Sequence, residues 1–155
     1  MSATPEPIRS FLEGRRIAVT GVSRDGRLPA NAIYRRLKAC GYDAVPVNPK
    51  ASEVEGTACY PDLRSVPGGL DAVMIASPPA SGAEIVRQAL ERGARQVWFH
   101  RSLGEGSVSE EAVRVCRDGG IEPIVGGCPL MFCGKVDVFH RCMAWWLQRW
   151  GRVPR

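Results

Sequence analysis

Residues that could bind a phosphate group cluster in one turn near the amino terminus. An apolar run, Ile17–Thr20, leads into Gly21 and Ser23, and a helix-like segment follows. Glycine allows a tight turn, a serine hydroxyl can donate to a phosphate oxygen, and the start of a helix favours an anion. Arg24 and Arg27 add two positive charges to the same turn. Because Ser23 stands where the dinucleotide pattern G-x-G-x-x-G has glycine, the turn predicts phosphate binding without fixing the ligand, and an ordinary strand-to-helix turn is the alternative.

The end of the second predicted strand narrows the choice of ligand. That strand runs into Asn48, Pro49 and Lys50. Domains that bind NAD usually place an acidic residue at this point, where it accepts hydrogen bonds from ribose hydroxyls. A lysine there favours a ribose that carries its own phosphate, as in coenzyme A or NADP, unless Lys50 is simply a solvated loop residue.

A third segment follows the most apolar predicted strand. It contains Ala76, Ser77 and Pro78, and a second proline comes directly after them. The prolines end the strand before the next helix begins. The segment is either a plain connection or a backbone wall for an adenine ring or a pantetheine arm.

Strand and helix patterns alternate along the chain and define the fold that must position these three segments. The predicted strands are Ile17–Thr20, Asp43–Val47, Asp71–Ala76, Gln96–Phe99 and Ile121–Val125, with a small edge strand near Thr57–Tyr60. The predicted helices are Asn31–Cys40, Ala80–Arg92, Ser109–Arg117 and Val136–Trp150, with one helical turn at Asp62–Val66. Such alternation predicts an α/β, Rossmann-like, doubly wound domain with a mainly parallel sheet of five or six strands and helices on both faces. Ligands of such sheets bind at the carboxyl ends of the strands, so the three segments should meet in one crevice.

Composition and charge limit the broad class of protein. The chain has 155 residues, of which 45% are hydrophobic and 24% charged, and these values are typical of one globular domain. No apolar run approaches the roughly 20 residues that span a bilayer, and the first residues lack a signal-peptide pattern, so a cytoplasmic location is expected. The net charge of +5 suits an anionic ligand, but no interleaved basic and aromatic pattern indicates nucleic-acid binding.

The cysteines predict neither disulfides nor a metal site. Six are present, at positions 40, 59, 116, 128, 133 and 142, and they should be reduced in a cytoplasmic protein. No two of them form a C-x-x-C pair, and the chain contains only two histidines, so no metal ligand set is expected.

Five short motifs in order resemble the small CoA-binding protein family. They are G-V-S at Gly21–Ser23, G-Y at Gly41–Tyr42, V-N-P-K at Val47–Lys50, L-D-A-V at Leu70–Val73 and G-A-R-Q-V-W at Gly93–Trp98. The family is a stand-alone version of the CoA-binding domain in the alpha subunit of succinyl-CoA synthetase. The resemblance covers roughly residues 14–130.

The resemblance implies a role in CoA binding for residues of all three segments. Gly21, Val22, Ser23 and Arg24 would line the pyrophosphate, Asn48, Pro49 and Lys50 would lie near the 3′-phosphate, and Ala76, Ser77 and Pro78 would flank the adenine. The chain departs from the family at His100, where members often carry glutamine, and in the longer link that follows it. These departures affect the pantetheine end of the site.

No catalytic residues are predicted, so the chain is expected to be a non-catalytic binding protein for CoA or an acyl-CoA. Neither His100 nor His140 matches a catalytic motif. An NADP-dependent oxidoreductase and an interaction module without a ligand are the alternatives. Cys128, just after the last predicted strand, is either a small buried hydrophobe, which we favour, or a thiol that exchanges with a CoA disulfide.

The aromatic carboxyl-terminal helix lies outside the resemblance. Phe139, Met143, Trp146, Leu147 and Trp150 recur at helical spacing. We expect this stripe to dock on the body of the domain rather than to form a homodimer or partner interface, and membrane contact is the least favoured use. The predicted organisation is a CoA-binding domain at 1–135 and a helix at 136–155.

Overall fold

A computed structural model describes residues 4–101, 106–134 and 138–151. The helices are α1 Glu6–Leu12, α2 Pro29–Ala39, α3 Gly82–Glu91, α4 Glu110–Asp118 and α5 Val138–Arg149. The strands are β1 Arg16–Thr20, β2 Asp43–Val47, β3 Glu53–Val54, β4 Thr57–Ala58, β5 Ala72–Ile75, β6 Gln96–Phe99 and β7 Ile124–Val125.

Five strands form one parallel sheet in the order β2-β1-β5-β6-β7. Strand β1 pairs with β2 from Arg16 opposite Asp43 to Thr20 opposite Val47. From β2 the chain crosses to the other side of β1, where β5 lies. The predicted Rossmann-like, doubly wound sheet is therefore confirmed, and its order reverses between β1 and β5.

Two apolar cores cover the two faces of this sheet. On one face, α1, α2 and α5 pack on Ile17, Met74 and Trp98, with the Phe11 ring edge-on to Trp98 at 5.2 Å. On the other face, α3 and α4 pack on Val73. The strand residues alternate between the two cores because successive side chains point to opposite faces.

The predicted edge strand near Thr57–Tyr60 does not extend the main sheet. Its first two residues form β4, which pairs antiparallel with β3 in a separate hairpin. Tyr60 makes only an isolated parallel bridge to Val47, at the end of β2. The hairpin thus folds back beside the carboxyl end of β2, next to the predicted crevice.

Several helices and strands differ from their predicted bounds, and each difference has a cause in the local sequence. Helix α1 was missed because its seven residues are too few to show a full periodic pattern. Asp62–Val66 is a turn rather than a helix, since the Asp62 carboxylate accepts a hydrogen bond from the Ser65 backbone N–H at 2.7 Å. Helix α2 starts at Pro29, which suits a first helical position, and β7 starts only at Ile124, after a proline.

The predicted docking stripe of helix α5 is confirmed in part. Ala144 and Leu147 are buried and belong to the core that also contains Met131. Trp146 and Trp150, which the sequence placed on the docking face, are exposed. The periodicity correctly predicted a helix, and Leu147 and the partly buried Met143 of the predicted stripe pack on the core beside Ala144. The side chain of Phe139 lies outside the described part of the structure.

Candidate functional site

The crevice lies where the chain segments after β1 and β5 leave the sheet. Gly21 follows β1 with φ +86°, and a Cβ atom there would lie 2.7 Å from the carbonyl oxygen of Ala76 and 3.0 Å from the Ser77 nitrogen. The Gly21 N–H donates to the carbonyl oxygen of Val47, at the end of β2, at 3.0 Å. The three predicted segments therefore meet, and a residue without a side chain is what allows them to approach so closely.

Buried hydroxyl groups join the first and third segments. The Thr20 and Ser77 hydroxyl oxygens lie 3.0 Å apart and are buried, and the Ala76 N–H donates to Thr20 Oγ1 at 3.3 Å. The Ser77 side chain thus faces the protein interior, and Ala76 and Pro78 are left nearer the surface. Ser77 contributes to the shape of the crevice more than to its polar lining.

The predicted phosphate turn is held from within by Asn31 of α2. The Ser23 N–H donates to Asn31 Oδ1 at 3.0 Å, and Asn31 Nδ2 donates back to the Ser23 carbonyl oxygen at 2.7 Å. The Ser23 hydroxyl accepts from the Asp25 N–H at 3.2 Å. The Ser23 backbone N–H is therefore already used by the protein. Its hydroxyl hydrogen remains available to a ligand because that oxygen is an acceptor in the turn.

A glutamate from the β3–β4 hairpin completes this support. Glu55, at φ +50°, accepts hydrogen bonds at Oε1 from Asn31 Nδ2 at 2.8 Å and from Arg35 Nη1 at 3.1 Å. Arg35 also donates to the carbonyl oxygen of Gly26 at 3.0 Å. We call Asn31, Glu55 and Arg35 the loop support. The loop support was not predicted from the sequence. The available signal was a polar residue, Asn31, among the apolar residues of a predicted helix, and the structure shows that Asn31 is fully buried.

Asn48 links the second segment to the first. Its Nδ2 donates to the carbonyl oxygen of Val22 at 2.9 Å, and its Oδ1 accepts from the Lys50 N–H at 2.9 Å. The Asn48 N–H donates to the carbonyl oxygen of Tyr60 at 2.9 Å. All these partners are protein groups, so Asn48 fixes the turn that carries Pro49 and Lys50, both of which are exposed.

The three cations that the sequence predicted at the crevice, Arg24, Arg27 and Lys50, are all exposed. Arg27 forms an ion pair with Asp25, with Nε 2.6 Å from Oδ1. For the side chains of Arg24 and Lys50, the described residues provide neither an ion-pair nor a hydrogen-bond partner. Those two charges are therefore free to pair with an anionic ligand, whereas Arg27 would first have to leave Asp25.

Two titratable side chains, those of His100 and Cys128, follow β6 and β7 toward the other end of this edge. His100 follows β6, and burial lowers the pKa of its imidazole, which is therefore neutral at pH 7. Cys128 is 4% exposed, and burial raises the pKa of its thiol to about 12. The side chain of His140 lies outside the described part of the structure. In that part, no group of three or more His, Cys, Asp and Glu residues could hold a metal ion.

Differences in burial also predict which cysteine reacts with a CoA disulfide. Exchange with a disulfide needs an accessible thiolate, which Cys128 does not offer, whereas Cys142 is exposed on α5. After treatment of the folded protein with CoA disulfide, we expect one CoA adduct by intact-mass analysis, and we expect Cys142→Ser to remove it. An adduct that persists in Cys142→Ser but is lost in Cys128→Ser would restore the exchange hypothesis for Cys128.

A cavity of about 200 Å³ lies at the opposite edge of the sheet and is lined by Gly14, Asp71 and Arg95 among others. The Asp71 carboxylate accepts hydrogen bonds from the Arg15 and Arg16 N–H groups at 2.9 Å each, and these bonds lower its pKa. Asp71 thus organises the entry into β1 at the amino ends of the strands, away from the crevice.

A parallel sheet whose order reverses beside a glycine turn, with cations at its carboxyl edge, defines a Rossmann-like nucleotide-binding domain. The family described as CoA binding domain matches residues 15–133, and the chain belongs to that family. None of the helices in the described ranges is long and apolar enough to cross a membrane.

Relatives of two sizes share this domain. The uncharacterized protein YneT of Bacillus subtilis is 26% identical over 122 residues, which cover 78% of this chain and 87% of that protein. The alpha subunit of the ADP-forming acetate–CoA ligase II of Pyrococcus furiosus is 30% identical over 105 residues, which cover 67% of this chain but only 23% of the subunit. The solved structure of Prb, the PH1109 protein redesigned for binding, superposes with a TM-score of 0.74 at 31% identity, over 82% of this chain and 87% of that one.

Proposed function

We propose that this protein binds coenzyme A or an acyl-CoA in the crevice at the carboxyl edge of the sheet and that it catalyses no reaction by itself. The pyrophosphate lies against Gly21, Val22, Ser23, Arg24 and Arg27, the 3′-phosphate near Asn48, Pro49 and Lys50, and the adenine beside Ala76, Ser77 and Pro78. The binding unit is residues 1–135, and the helix at 136–155 lies outside it. The family match, which ends at residue 133, supports this division.

The observation that carries the proposal is the pair of free cations, Arg24 and Lys50, on two segments that meet at Gly21. A phosphate on the ribose needs a positive charge at the end of β2, and Lys50 is there. Glu55, on the β3–β4 hairpin, uses its Oε1 atom within the protein, where it accepts from Asn31 and Arg35. This arrangement favours CoA over NAD.

The absence of catalysis is proposed from the chemistry of the described residues. The described residues of the crevice supply hydroxyls, amides and cations, and none of them forms a pair of a nucleophile and a base. The Pyrococcus furiosus relative is named as a ligase subunit, yet the region it shares with this chain is about a quarter of its length. Both the chemistry of the crevice and the small shared region are consistent with a domain that binds CoA and leaves catalysis to residues outside it.

Lys50→Ala is the sharpest test of the ligand. Since a charge-assisted contact to the 3′-phosphate contributes about 1.5–3 kcal/mol, the variant should bind CoA at least about tenfold more weakly. Binding of 3′-dephospho-CoA should hardly change. Isothermal titration measures both affinities. Lys38→Ala is the matched control, because it removes the same charge from the last turn of α2 and should leave both affinities unchanged.

A thermal-shift titration with CoA, acetyl-CoA, NADP and NAD separates the proposal from its alternatives. A ligand that binds only the folded state raises the melting temperature with its concentration. Selective stabilisation by CoA or acetyl-CoA supports the proposal. Selective stabilisation by NADP would instead support an oxidoreductase, and no shift with any of the four would indicate an interaction module. Equal weakening of CoA and 3′-dephospho-CoA by Lys50→Ala would show that Lys50 does not contact the 3′-phosphate.

A further inference from the structure

Helix α5 presents an outward face made of aromatic and basic side chains. Trp145 is 58% exposed, Trp146 44% and Trp150 67%, and Arg141 and Arg149 are exposed beside them. The Arg149 guanidinium lies over the Trp145 ring at 5.6 Å, and the Trp146 and Trp150 rings are 5.5 Å apart. We call these five residues the α5 outer face.

The outer face is the consequence of how α5 packs. Ala144 and Leu147 are buried in the core with Met131, which fixes one side of the helix against the domain. At 3.6 residues per turn, residues 141, 145 and 149 form one row on the opposite side, and 146 and 150 form the next. The tryptophans therefore cannot turn inward without removing Leu147 from the core.

The positive charge of the sequence from position 138 onward favours an anionic partner. From position 138 to the last residue the sequence contains no acid, while Arg141, Arg149, Arg152 and Arg155 are all basic. A second copy of the chain would place two such segments against each other, and the like charges would oppose a symmetric dimer through this face.

We propose that the α5 outer face is a peripheral binding surface for an anionic lipid bilayer. Indole rings favour the headgroup level of a membrane, where an apolar ring and a polar N–H are both accommodated. Arginines near that level are attracted to anionic lipids. The face is a convex helix ridge, and a bilayer can accept it without a complementary groove. The sequence ranked membrane contact as the least favoured use of this helix, and the exposure of Trp145, Trp146 and Trp150 reverses that ranking.

The test uses the full chain with large vesicles of equimolar phosphatidylglycerol and phosphatidylcholine, and with vesicles of phosphatidylcholine alone. We expect co-sedimentation with the anionic vesicles and a blue shift of tryptophan emission. Trp98 is fully buried, so the shift reports on the three tryptophans of α5. Binding should weaken with added salt because the attraction is screened. No sedimentation with anionic vesicles, or equal sedimentation with neutral ones, would overturn the proposal.

Variants separate the contributions of charge and indole. Arg141→Gln should weaken vesicle binding about fivefold, whereas Arg114→Gln, at an exposed position on α4, should leave it unchanged. Replacement of Trp145, Trp146 and Trp150 by serine should abolish vesicle binding and leave the urea-unfolding midpoint of the chain unchanged, because all three side chains are exposed. This readout does not depend on the proposed CoA function. Light scattering gives the contrary outcome. If the unmodified chain is a dimer, the triple variant is a monomer and neither binds vesicles, then the partner is a second copy of the chain and the bilayer proposal is wrong.

Discussion

Replacing Gly21 with alanine should lower the free energy of unfolding by more than about 3 kcal/mol and abolish CoA binding. Two costs combine at this position. The φ of +86° is unfavourable for any residue with a Cβ atom, and that atom would lie 2.7 Å from the Ala76 carbonyl oxygen. Since the obstacle is backbone at the sheet, relief requires that the segments after β1 and β5 separate. Urea unfolding and CoA titration measure the two effects.

Gly41→Ala is the matched control for this substitution. Gly41 has nearly the same φ, +90°, but nothing lies within 4 Å of a Cβ built there. The control should therefore lose only about 1–2 kcal/mol, the cost of the backbone conformation alone, and should bind CoA normally. If the two variants are destabilised equally, the close approach of the two segments at the crevice does not constrain the fold.

The position of the crevice could be predicted because it depends on backbone topology. Alternating strands and helices specify a doubly wound sheet, and such a sheet brings the ends of β1, β2 and β5 to one edge. Gly21, Asn48 and Ala76 were placed there from their positions after apolar runs alone. Their roles as CoA contacts remain predictions, which Lys50→Ala and Gly21→Ala address.

The internal supports of the crevice could not be predicted from local patterns. Glu55 reaches Asn31 across 24 positions of sequence, from a hairpin that the sequence suggested only as an edge strand. Thr20 meets Ser77 across 57 positions. Such contacts depend on how the segments pack in three dimensions. The same limit explains α5, where periodicity identified the helix and the buried Leu147 but also assigned the exposed Trp146 and Trp150 to the packed side.

Asn31→Asp should destabilise the fold by about 3 kcal/mol at neutral pH. The introduced carboxylate can still accept from the Ser23 N–H, but its second oxygen would face the Ser23 carbonyl oxygen and the Glu55 carboxylate, both of which now accept from the Asn31 amide. Burial and the neighbouring negative charge should raise the pKa of the introduced carboxyl above that of an unfolded aspartate, about 3.9.

The raised pKa makes the loss of stability in Asn31→Asp depend on pH. A carboxyl with a raised pKa binds its proton more tightly in the folded state, so the destabilisation is complete above the folded pKa and disappears as the pH falls toward about 4. Urea unfolding of both proteins at several pH values should show the difference narrowing on acidification. Arg35→Gln serves as the control, because it removes a half-exposed ion pair with Glu55 and should cost under about 1 kcal/mol at neutral pH. A loss in Asn31→Asp that stays constant with pH would mean that the carboxyl is solvated. In that case Asn31 would not be the buried link between the phosphate turn and the β3–β4 hairpin.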